Sequence, residues 1–347
     1  MHYQEERTDG CRVSDAWTYR GLKTVVLENE LVRVIVLADK GADVCSFVHK
    51  QSDTDFMWRT PWGVRDPSKF VPTTGAPGSL WLDQYEGGWQ TVVPHGGFPD
   101  SVYGAEMGLH GELSTMPWDC QVVEDSPRRV AVRFRAKGVR MPFSAEKTLS
   151  VEAGSAALTV DESVTNEAEE PAECVWLEHI AIGAPLLSAD ARLYLPPCKV
   201  INHPIDVAPT SKLKNGRDID FSRIPPKSDR SLDMAYFTDM DEGWYALTNE
   251  KLGVGFAVSF PSKVFKYLWY WRNLGGGWGY PWYGRCYNVG LEPCTSFHNG
   301  GLKQAMENGT ALKFRAGETV RATIRAVAYT GVRPVRQVTP QGTVVFG

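Results

Sequence analysis

Seven cysteines are scattered through this chain of 347 residues, and no two of them form a C-x-x-C pair. An odd, dispersed set argues against both a disulfide framework and a thiolate zinc site. No run of about 18 apolar residues occurs, so no membrane-spanning helix is expected. The first twenty residues carry Glu5, Glu6, Arg7, Asp9 and Arg12 where a signal peptide would need an apolar segment. Charge of one sign is never concentrated: 37 Lys and Arg against 41 Asp and Glu leave a formal charge of -4. That balance provides no electrostatic footprint for nucleic acid or an anionic membrane. A soluble, cytoplasmic protein with neither partner is the expectation. Phosphate and metal motifs are missing too: Gly275 to Gly279 has no P-loop lysine, and no His-Glu-x-x-His occurs. Asn308-Gly309-Thr310 fits a glycosylation acceptor, but without an export signal it reads as a turn.

Helical periodicity over three turns is absent, whereas strand signals recur along the chain. In Val130 to Lys137 the apolar Val130, Val132, Phe134 and Ala136 alternate with Arg133, Arg135 and Lys137, the pattern of a half-buried strand. The same period of two runs through Leu158 to Val164, Val254 to Phe260 and Val320 to Ala328. Leu31 to Leu37 is almost continuously apolar and suits a strand buried on both sides. Sheets with one apolar face must bury it, so an all-β fold, a large antiparallel β-sandwich, is expected. Without a linker or repeat, a single domain over 1–347 is preferred. Two stretches escape the alternation, Asp66 to Met116 and Pro204 to Asp233, and long irregular segments in a β domain tend to carry function.

Four contexts could carry chemistry. His110 lies between Gly108 and Gly111 at the close of the first irregular stretch, where a bare backbone leaves the imidazole uncrowded. His179 sits in the apolar run Val175 to Gly183 and must find a hydrogen-bond partner or shift its pKa. Glu292 shares a strand face with Asn288 and Gly290, and Pro293 is expected to end that strand at an edge or open mouth, placing the carboxylate at a cavity rim. Between Tyr267 and Tyr283 aromatics crowd among glycines, with Trp271 and Trp278 suited to the C–H face of a sugar and Arg272 to its hydroxyls or an anionic substituent. Taken one at a time, each context also has a structural explanation: a turn histidine, a satisfied core histidine, an exposed strand-end glutamate and an interior packing cluster.

In this order the contexts resemble the galactose mutarotase, or aldose 1-epimerase, superfamily. Leu27 to Leu37, then Lys40-Gly41-Ala42 and Asp53 to Trp58, look like its first strands and glycine turn. His110-Gly111 with Trp118 is similar to its substrate-binding histidine segment, Leu177-Glu178-His179 with Gly183 to its catalytic-histidine strand, and Gly290-Leu291-Glu292-Pro293 with Asn299 to its catalytic-glutamate segment. The likeness spans Leu22 to Tyr329. It implies a mutarotase in which Glu292 is the general base and His179 the general acid, with no cofactor and no metal, acting on a small-molecule sugar as a monomer or homodimer. Departures exist. The family's arginine before the first active-site histidine is absent from Gly87 to Gly97, where Gln90 or His95 would take its place, and its asparagine before the catalytic histidine is Glu178 here. The sugar-binding aspartate is assigned to Asp233 only as a guess. These differences point to a modified or acidic sugar. Two other readings stay open: a non-catalytic carbohydrate-binding protein, and a metal-dependent isomerase or lyase using His95, His110, His179 and Glu292 as ligands.

Overall fold

A computed structural model describes residues 7, 9–203, 211–212 and 220–347. Parts of the second irregular stretch, residues 204–210 and 213–219, lie outside the described residues, as do 1–6 and 8. The alternating segments form strands, among them Arg129–Lys137, Ala157–Asn166, Val254–Ser259 and Thr319–Thr330. They assemble into two large antiparallel sheets of eleven and eight strands. Phe47 from the first, with Phe56 beside it, meets Phe256 from the second, at ring-centroid distances to Phe256 of 5.6 and 5.1 Å, inside a core that both sheets line. The protein is therefore an all-β sandwich whose interior is built from one face of each sheet. Among the described residues no helix is long and apolar enough to cross a membrane.

Within the larger sheet the strands Trp89–Val92, Leu177–Gly183, Tyr287–Cys294, Tyr267–Leu274 and Leu232–Thr238 are consecutive neighbours. Glu178 turns inward from this group: Thr91 donates to Glu162 of the smaller sheet and also approaches Glu178, while the indoles of Trp89 and Trp176 donate to Glu178 at 2.7 and 2.8 Å. Because side chains alternate, His179 is turned to the outer face. Burial and the neighbouring Glu162 hold the Glu178 carboxyl well above its usual range. It is a scaffold group between the sheets.

Three expectations are corrected. Val32–Leu37 buries Val32, Val34 and Val36 on one side, whereas on the other Arg33 is exposed, Ile35 half-exposed and only Leu37 sealed. Asp66 to Met116 is not wholly irregular: it holds the helix Pro77–Gln84, the strand Trp89–Val92 and a small hairpin of Asp100–Val102 with Ala105–Met107. The helix escapes a periodicity search because it makes barely two turns, lacks a side-chain cap and fully buries only Trp81. Finally, the strand that ends just after Pro293, at Cys294, is not a sheet edge. Tyr287–Cys294 is flanked on both sides, with Pro293 opposite Leu268, so Glu292 reaches the cavity through the face of the sheet.

Candidate active site

On the outer face of the larger sheet a cavity of about 190 Å³ opens. Space for one water takes roughly 10–15 Å³, so the volume suits about a dozen small groups, the size of one sugar ring. Its floor is read directly from the strand period. His179 and Ala181, Asn288 with Gly290 and Glu292, Trp269 with Trp271, and Met234 project from four neighbouring strands. Trp81, Leu82 and Tyr85 of the short helix and its exit make one wall, and the Gly97–Phe98 and Leu109–His110 segments with Trp282 and Asn299 supply the rest.

The pairing register places Leu177 opposite Cys294 and Ala181 opposite Gly290, which sets His179 directly across from Glu292. Nε2 of His179 lies 3.6 Å from Oε1 of Glu292. The Glu292 residue is 3% exposed, yet among the described residues its carboxyl makes no hydrogen bond. Gly290 makes room for it: a Cβ there would come within 2.1 Å of Oε1 of Glu292. Burial pushes the Glu292 carboxyl up to about 8 and, with a contribution from the Lys40 charge, His179 down to about 4. Desolvation disfavours the charged form of both. Near neutral pH these shifts favour a neutral imidazole beside a protonated carboxyl.

Around the pair, Gln90 Oε1 lies 3.0 Å from His179 Nδ1, and the Trp81 and Tyr85 rings stand nearly perpendicular to the imidazole. His110 adopts a left-handed backbone at φ 56°, followed by Gly111 at 63°, which turns its ring to within 4.9 Å of the His179 ring. The Gly97 amide donates to His110 Nδ1, so a neutral His110 carries its proton on Nε2. Two lining groups, Asn288 Oδ1 and the Tyr85 hydroxyl, are buried without a hydrogen-bond partner among the described residues.

The sequence-based candidates therefore divide. Glu292, His179, His110 and Trp271 meet in the cavity. Gln90 stands behind His179. His95 is fully buried, contacts the Phe98 carbonyl, receives the Leu302 amide and ties down the loop that presents Phe98. Arg272 and Asp233 are corrected: facing each other across adjacent strands, they pair at 2.7 Å on the opposite side of the sheet from Trp271 and Met234. One residue of strand separates the sides, and Arg272 falls on the wrong one. Trp278 is corrected too, since it is 58% exposed, lies against Arg230 and does not line the cavity. Missed were Trp81, Tyr85 and Trp282. Trp269 could have been found, being two residues from Trp271 on the same strand face. Among the described residues no three His, Cys, Asp or Glu side chains are arranged to hold a metal ion.

This architecture is that of galactose mutarotase-like β-sandwiches. A protein of Klebsiella pneumoniae subsp. pneumoniae MGH 78578, provisionally assigned as an aldose 1-epimerase, superposes with a TM-score of 0.72 at 16% identity, over 93% of this chain and 84% of that one. Galactose mutarotase-like proteins of Clostridium acetobutylicum (TM-score 0.63, 11% identity, 92% and 99% covered) and Lactobacillus casei ATCC 334 (0.61, 14%, 88% and 100%) share the fold. No curated protein matches by sequence. The chain belongs to the DUF4432 family, a domain of unknown function, whose model matches residues 19–326.

Proposed function

We propose that the protein is an aldose 1-epimerase, interconverting the α and β anomers of a cyclic sugar by ring opening. The observation that carries the reading is the buried Glu292 carboxyl set beside His179 on the floor of a sugar-sized cavity. Opening a hemiacetal removes the proton of the C1 hydroxyl, breaks the bond from C1 to the ring oxygen and protonates that oxygen. Both oxygens are attached to C1. Acid and base must accordingly stand side by side, as cross-strand neighbours do, rather than at opposite edges of the sugar. The pair needs one proton between its two members: the holder donates to the ring oxygen while the other accepts from the hydroxyl. After rotation about C1–C2 the transfers run backwards on the other face of the aldehyde, and the pair regains its starting state. Trp81, Trp271 and Trp282 offer ring faces to sugar C–H groups. The Nε2–H of His110 and the carbonyl of Asn288 supply a donor and an acceptor for hydroxyls.

NMR exchange spectroscopy on a panel of neutral and acidic aldoses tests the reading. Enzyme-dependent exchange between anomers is expected, and its loss in His179→Asn. Near-normal exchange in that variant would remove His179 from the mechanism.

The pH profile follows from the burial of the pair. Below about 4 both members are protonated and above about 8 neither is. kcat/KM should hold a plateau between limbs near those values, which as macroscopic constants belong to the pair. A limb near pH 6.5 would show that the imidazole is not desolvated. Asn288→Ala, which deletes one substrate hydrogen bond, should raise KM about 3–10-fold with little change in kcat. An unaltered KM in steady-state assays would exclude that contact.

A further inference from the structure

Gln90 is fully buried on the strand beside His179, with the two residues opposite each other in the pairing register. Both ends of its amide are committed. Nε2 donates to the Gly87 carbonyl at 2.5 Å, and Oε1 is directed at His179 Nδ1 at 3.0 Å. The reversed amide would set an oxygen against the Gly87 carbonyl oxygen, two acceptors with no proton between them, so the orientation is chemically determined. An amide oxygen only accepts. His179 Nδ1 must therefore carry the hydrogen, and in the neutral ring Nε2 is left with a lone pair, 3.6 Å from Glu292 Oε1.

We infer that Gln90 is a positioning residue that holds the hydrogen of the neutral His179 ring on Nδ1, so that Nε2 is the nitrogen turned to Glu292 and the one that exchanges protons in the pair. Only the catalytic consequence of this assignment rests on the proposed reaction. A glutamine suits the task. It orients the ring as a carboxylate would, but it brings no charge to favour an imidazolium and takes no proton itself. The neighbouring ring agrees with a neutral imidazole: His110, whose pKa burial lowers well below its usual value, presents a second neutral ring in the complementary Nε2–H tautomer. The site thus holds one imidazole acceptor and one imidazole donor, each set by its own partner.

The test is long-range ¹H–¹⁵N correlation of the histidine rings in uniformly labelled protein near pH 7, with His179 assigned by its loss in His179→Asn. Protonated Nδ1 and unprotonated Nε2 are expected for His179. An Nε2–H ring or an imidazolium overturns the inference. Gln90→Leu should bring an Nε2–H population into the same spectrum and lower kcat roughly 10–100-fold, with KM changed much less. Should that variant not fold, Gln90→Glu provides the second reading: its carboxylate accepts the same hydrogen but favours the imidazolium, so the acid limb of kcat/KM moves up by a pH unit or more. An unmoved spectrum in the first variant, or an unmoved limb in the second, counts against Gln90. Because the ring is read without substrate, failure of the inference and failure of the proposed reaction are distinguishable. A missing anomerase activity would sink the reaction alone, and an Nε2–H ring would sink the tautomer lock alone.

Discussion

Glu292→Gln should lower anomerisation by roughly 10²–10⁴-fold, the usual contribution of a positioned proton-transfer group. The amide keeps the size of the side chain but can neither lose a proton to the ring oxygen nor take one from the C1 hydroxyl. The variant should also be more stable than the parent, increasingly so with pH. In the folded protein the carboxyl titrates at about 8 instead of its ordinary 4.5, so between those values the folded state binds the proton that the unfolded chain has released. Stability of the parent therefore falls as pH rises through that window and stays lower above it. Glutamine removes this burden. Thermal unfolding at pH 5 and pH 9 checks it: the gap in Tm should be small at the lower pH and wide at the higher. A constant gap would mean that the carboxyl is not desolvated, and a rate within tenfold of the parent would remove Glu292 from the chemistry.

Gly290→Ala should cost about 10²-fold in kcat while the protein remains folded. Positive φ is not the reason, since Gly290 sits in an ordinary strand. The added methyl would occupy the place where Oε1 of Glu292 now lies, at 2.1 Å, and would press on Trp271 Cβ at 3.3 Å. The carboxyl end of a flexible side chain can swing away, so the methyl is accommodated by moving Glu292 from His179. Misplacement of a reacting group by about 1 Å typically costs on the order of 10²-fold. Steady-state rates together with circular dichroism decide the matter. Full activity in a folded Gly290→Ala protein would show that the carboxyl works from another position.

The strands were legible because alternation is a local property: Val130 to Lys137 reads as half-buried in any context. The same local rule placed Asn288, Gly290 and Glu292 on one face, and the order of the histidine and glutamate segments pointed to the pair. The wall formed by Trp81 and Tyr85 was hidden in a helix too short to leave a period, stabilised by packing its one buried indole against the site. Arg272 and Trp278 were misplaced for a different reason. Alternation already sets Trp271 and Arg272 on opposite faces of their strand, but which face carries the cavity is decided by packing, and the loop tip turns Trp278 to solvent.

What the sequence determined by itself was the all-β class and the identities of the groups able to exchange protons, both set by residue chemistry and nearest-neighbour spacing. Tertiary structure alone decided which of those groups meet. The register between two strands more than a hundred residues apart in the chain sets His179 against Glu292, and the dry wall around them shifts both toward neutrality. Pairing register and burial are products of long-range packing, and no local pattern encodes them.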